Sequence, residues 1–204
     1  MNKSFAILAL CAIAGVASAA GNFSQDPLTG DDAWGDIGVF NFQDDLTITD
    51  TAYSISNIRT FEVYGDADFY TLNIYNDLVD NGGTVLYSFT STNVSANQDL
   101  QNIYGVGYNV DFDTSGLTLG PGTYYVNFSA TSSLGFDYYW FNANVGSPNG
   151  MEAYLNTVGP SSTFASGESF DFAWNMNATP VPEPATMAVL GLGALAALRR
   201  KRAK

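Results

Sequence analysis

The chain of 204 residues has no histidine and one cysteine, Cys11. Lysine and arginine are also scarce, and Arg59 is the only basic residue between positions 20 and 180. Nucleophiles activated by histidine, lysine Schiff bases and histidine- or cysteine-ligated zinc are therefore excluded from 20–180, because each requires a side chain that is missing there. A single cysteine also excludes an intramolecular disulfide bond.

Acidic residues are abundant where basic residues are missing. The chain has 20 Asp and Glu against 7 Lys and Arg, and every acid except Glu183 lies within 20–180. The other basic residues are at the two ends: Lys3, Arg199, Arg200, Lys201, Arg202 and Lys204. A segment this acidic repels nucleic acid and anionic membrane surfaces, so nucleic acid is not an expected partner.

The first 19 residues have the layout of a secretory signal peptide. Lys3 precedes an apolar run from Phe5 to Val16, and the small residues Ala17 and Ala19 follow with the spacing of a cleavage site. This layout predicts a signal helix over 1–19, export of the chain and cleavage after Ala19. A buried N-terminal helix is the alternative interpretation.

Apolar and polar residues alternate with a period of two through the central part of the chain. In the clearest case, the apolar positions are Tyr104, Val106, Tyr108, Val110 and Phe112. Strands are also predicted at 38–42, 45–50, 53–64, 69–75, 84–90, 124–130, 135–142, 151–156 and 170–176. Turns are predicted at Asn81-Gly82-Gly83 and Gly120-Pro121-Gly122. We therefore predict an all-β domain over 20–178, an antiparallel β-sandwich with the jelly roll as one arrangement of its strands.

The tail, residues 179–204, joins three features in order. Pro182, Glu183 and Pro184 form an extended linker, because proline restricts the backbone and lacks an N–H donor. An apolar segment follows, and the basic residues Arg199, Arg200, Lys201 and Arg202 come after it. The 14 residues of 185–198 span about 21 Å as a helix, whereas a bilayer core of about 30 Å needs roughly 20 residues. This predicts a transient hold in the membrane with the basic end in the cytoplasm.

This order of features resembles the PEP-CTERM sorting signal of exopolysaccharide-producing Gram-negative bacteria. The resemblance rests on Pro-Glu-Pro at 182–184, the apolar run and the basic end from Arg199. It implies that a membrane enzyme, the exosortase, recognises the tail and passes the protein from the inner membrane to the cell surface or matrix. The same tail is sometimes called an ice-binding-protein C-terminal domain. A permanent membrane anchor is one alternative, and a GPI signal is another, although a GPI signal does not normally end in a basic cluster.

The central region is similar to a group of secreted PEP-CTERM proteins with β-sandwich bodies. The similarity lies in the stretches QDDLTIT, YSISNIRTFEVYG, LNIYNDLVDNGGTVLYSFT and LTLGPGTYYVNFSA. This similarity implies the fold but does not imply any particular activity. We therefore expect a non-catalytic surface or biofilm-matrix protein without a cofactor, with an exosortase and exopolysaccharide as its partners.

Aromatic residues in DYYWFN support an alternative function, a carbohydrate-binding module. Tyr138 and Trp140 share one face of a predicted strand, and exposed aromatic rings suit the apolar face of a sugar. Packing in the core is the other interpretation, since strands are rich in aromatic residues. A glycosidase is a further alternative because it needs only two carboxylates, but Glu62, Glu152 and Glu168 form no recognisable paired motif.

Two acidic pairs give a hypothesis for calcium (Ca²⁺) binding, which would also serve a carbohydrate-binding module. Asp66 and Asp68 lie in a predicted turn, and Asp111 and Asp113 share a strand face with Asn109. Calcium takes about six to eight oxygen ligands, often from such residues. Because no D-x-D-x-D-G loop is present, a solvated acidic surface is the alternative interpretation.

Overall fold

The alternating pattern of the sequence forms β-strands along most of the chain that the computed structural model describes. The described residues are 22–25, 27, 33–36, 41–102, 105–133, 138–141, 143, 153–156, 162–163, 172–182 and 191–192. Their strands are β1 (Asn22–Gln25), β2 (Ala33–Asp36), β3 (Asn41–Ile48), β4 (Tyr53–Val63), β5 (Phe69–Tyr75), β6 (Val85–Ser91), β7 (Val94–Asn102), β8 (Gly105–Leu119), β9 (Gly122–Thr131), β10 (Tyr139–Phe141), β11 (Ala153–Asn156), β12 (Ser162–Thr163) and β13 (Trp174–Pro180). A 3-10 turn, Val79–Asn81, lies between β5 and β6.

The strands form two antiparallel sheets, which confirms the prediction of an all-β sandwich. The first sheet has the order β1-β13-β4-β10-β2. In addition, β8 pairs with β4, and β7 pairs with β8. The second sheet has the order β12-β11-β3-β9-β5-β6. β4 is therefore central to the first sheet, and β6 lies at one edge of the second.

The core consists of apolar side chains from the inner faces of both sheets. The first sheet contributes Ile58 and Phe112, and the second contributes Leu72 and Phe128, all of them fully buried. Burying a side chain of this size contributes roughly 1.5–3 kcal/mol to folding. This burial also fixes the register, because a slip of one residue would turn the apolar face of a strand outward.

The two longest strands, β4 and β8, change register part-way along their pairing. Ile55 pairs with Leu117 and Asn57 pairs with Asp113, so β8 has more residues than β4 between these pairs. Gly116 lies in this irregular stretch with φ of 91°, a conformation that glycine adopts without steric cost from a Cβ atom. The irregularity allows Leu117 to face the core together with the residues on the first half of the strand.

Most of the predicted strands are present, with changed bounds. The two strands predicted at 38–42 and 45–50 are one strand, β3. The prediction lacks the short strands β1, β2 and β12. It also lacks β7, whose sequence VSANQDLQN has few apolar residues. The predicted turns at 81–83 and 120–122 lie at the connections β5–β6 and β8–β9.

The sequence predicts a helix at each end of the chain. The signal helix over 1–19 lies outside the described residues. In the tail, Gly191 and Leu192 are helical. Within the part of the chain that the structure describes, no helix has the length and apolar character needed to cross a bilayer.

Candidate functional site

Tyr138 and Trp140, the residues predicted to contact a sugar, are buried in the core. Trp140 Nε1 donates to the carbonyl oxygen of Ala173 at 2.8 Å, and the ring stacks on Phe172 with centroids 4.4 Å apart. The prediction is therefore wrong, because a sugar cannot stack on a ring that solvent does not reach. The physical reason is that β10 lies inside the first sheet beside β4, and Phe141 on its other face is buried as well.

Asp111 and Asp113, one of the pairs predicted to bind calcium, lie on the outer face of β8. Asp111 forms a bidentate ion pair with Arg59, with Nε to Oδ1 at 2.8 Å and Nη2 to Oδ2 at 2.9 Å. The hydrogen bonds to Asp111 raise the pKa of Arg59 above its ordinary value. Hydrogen bonds from the Ser115 side chain and backbone lower the pKa of Asp113, which is exposed. Arg59 thus engages both oxygens of Asp111.

Asp66 and Asp68, the other predicted calcium pair, are exposed in the connection between β4 and β5. The backbone N–H of Asp68 donates to the Thr131 oxygen at 2.9 Å, and its Oδ2 accepts from the Ser133 N–H at 2.7 Å. Among the residues that the structure describes, no three acidic, histidine or cysteine side chains are grouped to hold a metal ion. The geometry adds no support for calcium, which stays a prediction.

Glu62 of β4 is fully buried between the sheets. Its Oε1 accepts a hydrogen bond from the hydroxyl of Tyr70, and the ring of Tyr138 packs edge-on against that of Tyr70 with centroids 6.5 Å apart. Burial raises the pKa of Glu62 to about 8, against the opposing effect of the Tyr70 hydrogen bond. Burial also raises the pKa of both tyrosines. The carboxyl is therefore mostly neutral at pH 7 and is closed to a substrate.

The alternation within β4 contains the signal that places Glu62 inside. Ile58, Thr60 and Glu62 occupy every second position, and all three are buried. Residues spaced by two share one face of a strand, so the apolar residue identifies the face of the two polar ones. The hydrogen bond from Tyr70 offsets part of the cost of burying the carboxyl.

A second buried carboxyl, Asp44 of β3, links the two sheets. Trp174 of β13 donates from Nε1 to Asp44 Oδ2 at 2.8 Å, and both residues are fully buried. Because β3 and β13 belong to different sheets, this hydrogen bond crosses the sandwich. Asp44 and Glu62 therefore accept hydrogen bonds in the interior of the sandwich, and neither residue was predicted to do so from the sequence.

β13 brings the tail to the surface of the sandwich. The strand ends at Pro180, and the next residue, Val181, donates its N–H to the Ala52 oxygen at 2.7 Å. Pro182 is exposed, so the chain leaves the sheet where Pro-Glu-Pro begins. Leu192 is 68% exposed, which shows that this apolar side chain is not packed into the core.

Residues 180–202 match the PEP-CTERM protein-sorting motif. The match confirms the resemblance drawn from the sequence, and the motif implies export and processing by an exosortase, a membrane enzyme. No curated protein matches the chain at a significant level. The motif starts at the last residue of β13, so the sandwich and the PEP-CTERM tail adjoin without an intervening linker.

The roles of the other sorting residues stay predictions. Pro182 is the only member of Pro-Glu-Pro that the structure describes. Outside the described residues lie Glu183, Pro184, Arg199, Arg200, Lys201 and Arg202, together with the predicted cleavage-site residues Ala17 and Ala19.

Proposed function

We propose that this chain is an exported, non-catalytic protein of the cell surface or extracellular matrix, delivered there by an exosortase that acts on its PEP-CTERM tail. The position of the motif carries the proposal. It begins where β13 ends, and Pro182 is exposed beside the folded sandwich. A membrane enzyme can therefore reach Pro182, the first residue of Pro-Glu-Pro, while the sandwich stays folded.

The physical properties of the tail support a temporary hold in the inner membrane. The 14 residues of 185–198 are fewer than the roughly 20 that span a bilayer core, so the hold is weak. The basic cluster from Arg199 stops transfer on the cytoplasmic side. Glu183 is the only acid of the tail, and a basic side chain of the enzyme would recognise it through a charge-assisted hydrogen bond.

Two observations support a body without catalysis. Glu62 is fully buried and so cannot act as the exposed acid of a glycosidase. An open cavity of about 390 Å³ is lined by Phe69, Thr90, Ser91 and Thr92, none of which is an acid or base near neutral pH. Glu152 and Glu168 lie outside the described residues and form no recognisable pair with Glu62 in the sequence.

The charge of the body supports a hydrated location at the surface of the cell. Residues 20–180 carry 19 acids and a single basic residue, Arg59. Such a surplus keeps separate copies soluble through mutual repulsion. Exopolysaccharide of a Gram-negative-type cell is the proposed environment, since the tail resembles the signal of bacteria that make it.

Replacing Glu183 by lysine in the native host tests this function. We expect wild-type protein in the surface extract without residues 187–204, and full-length Glu183→Lys protein in the membrane fraction, because the enzyme no longer recognises the tail. Asp99→Lys makes the same change of charge at an exposed position of β7 and should be sorted normally. Mass spectrometry of both fractions is the measurement. Processed Glu183→Lys protein at the surface in wild-type amount would contradict the proposal.

A further inference from the structure

β6, Val85–Ser91, has an uncovered edge in the described part of the chain. It pairs with β5 on one side, and no described strand pairs with its other side. Three consecutive apolar residues are exposed, Val85 by 48%, Leu86 by 44% and Tyr87 by 38%. Because successive residues of a strand point to opposite faces, both faces of β6 are open to solvent here.

The other edge strands of the described sheets are protected against pairing, whereas β6 is not. β1 and β2 have 4 residues each, β12 has 2, and the longer β7 carries Asp99. Short length and charge are devices by which natural edge strands avoid pairing with other chains. β6 has 7 residues, and no charged residue occurs between Asp80 and Asp99. An uncharged edge rich in β-branched and aromatic residues is a template for a further strand.

We propose that β6 pairs with β6 of a second copy of this chain, antiparallel and about a twofold axis. The second sheets of the two bodies then form one continuous sheet. The pairing of β6 with β5 is antiparallel, as are the other strand pairs of this sheet. A twofold axis between two identical edges produces the same antiparallel arrangement, so the dimer extends the sheet without a new type of pairing.

Charge restricts the surface through which a second copy can approach. A basic protein would be attracted to the acidic surfaces of the body, and β6 offers it no charge. Two copies, each with 19 acids against Arg59, repel each other wherever acids meet and approach most easily through an uncharged surface. β6 is such a surface in both copies, and the cavity beside it is lined by Phe69, Thr90, Ser91 and Thr92, which are also uncharged.

The twofold axis restricts which residues of the two strands face each other. With Ser88 on the axis, Leu86 of one copy lies opposite Thr90 of the other, and Tyr87 lies opposite Phe89. The second pair joins two aromatic side chains, and such cross-strand pairs contribute roughly 0.2–1 kcal/mol each. The contact would also cover part of the exposed surface of Leu86 and Tyr87 in both copies.

Sedimentation velocity of the processed protein at several concentrations measures this association. We expect a monomer–dimer equilibrium for the wild type and a dimer weakened by about tenfold or more in Leu86→Lys, because a charge on the edge opposes strand pairing. Thr118→Lys makes the same change of charge at an exposed position of β8 and should dimerise like the wild type. Circular dichroism and thermal midpoints establish that the variants are folded. A monomeric wild type, or a folded Leu86→Lys variant that dimerises fully, would overturn the proposal.

Cysteine cross-linking tests the same contact without adding a charge to β6. Opposite residues of an antiparallel pair have Cα atoms about 4.5–5.5 Å apart, a distance that a disulfide bond spans. Ser88→Cys should therefore form a linked dimer on mild oxidation, and Leu86→Cys and Tyr87→Cys cover the neighbouring registers. Thr118→Cys is the control and should stay unlinked. Equal linkage in the control and in all three β6 variants would also overturn the proposal.

Discussion

At the scale of single residues, Glu62 makes the stability of the sandwich depend on pH. Burial raises its pKa from 4.5 to about 8. Between these values the folded chain holds a proton that the unfolded chain releases, so the contribution of Glu62 to stability is greatest below the lower value and falls as the pH rises towards 8. The contribution of one such group falls by up to about 1.4 kcal/mol per pH unit. Glu62→Gln should flatten this decline, measured as urea midpoints across that pH range.

The control for this prediction is an acid at the surface. Asp99→Asn removes an exposed carboxyl of β7 and should leave the slope of stability against pH as in the wild type. If Glu62→Gln kept the wild-type slope, the buried carboxyl would not be the group that titrates.

The two buried tryptophans allow a matched comparison of hydrogen-bond acceptors. Each donates from Nε1 at 2.8 Å, Trp174 to the carboxyl of Asp44 and Trp140 to the backbone oxygen of Ala173. Both side chains are fully buried, so replacement by phenylalanine removes similar volumes. We expect Trp174→Phe to lower the free energy of unfolding by about 1 kcal/mol more than Trp140→Phe, because a buried carboxyl loses more on desolvation without its donor. Urea unfolding measures both values, and a larger loss for Trp140→Phe would contradict this account of Asp44.

At the scale of elements, the connection from β4 to β5 depends on the close approach of Gly65 to Tyr108. A Cβ atom added at Gly65 would lie 2.3 Å from Cδ1 of Tyr108, and the φ of Gly65 is +64°. Gly65→Ala should therefore destabilise the protein by about 1–3 kcal/mol, through a displaced ring and a strained backbone. Gly120→Ala is the control, since no atom lies within 4 Å of its added Cβ. The thermal midpoints of the two variants are the measurement. Equal midpoints would contradict the prediction, because they would show that the connection accommodates a Cβ atom at position 65 without loss of stability.

Strands with two chemically different faces could be predicted from the sequence, whereas β7 could not. β8, β9 and β13 alternate between apolar and polar residues, and the prediction found all three. β7 has no such alternation, and its place in the fold is set by pairing with β8. The sequence of one strand does not show which strand pairs with it, so β7 could be identified only from the structure.

The same distinction applies to the candidate sites. The PEP-CTERM tail could be predicted because its three features are contiguous in the sequence. The burial of Trp140 depends on the position of β10 between β4 and β2, and both of these strands are distant from β10 in the sequence. The ion pair between Arg59 and Asp111 likewise depends on the register of β4 against β8. Both the burial of Trp140 and this ion pair depend on pairing between distant strands, which no local sequence pattern shows.

At the scale of the whole molecule, charge divides the chain into a body and a tail. The body carries 19 of the 20 acids, and the tail carries 5 of the 7 basic residues, all of them after its apolar segment. A membrane that holds the apolar segment therefore separates the acidic sandwich from the basic end. Removal of the tail would leave a soluble, strongly acidic β-sandwich outside the membrane, with β6 available for pairing.

The intact mass of the protein extracted from the cell surface is the decisive measurement for processing of the PEP-CTERM tail. We expect a chain that begins at or within a residue or two of Ala20 and has lost residues 187–204, because the proposed function requires cleavage of a signal peptide on export and removal or exchange of the tail near 182–184 by an exosortase. A surface form that retains Met187 to Lys204 would contradict this expectation and would identify the tail as a plain membrane anchor.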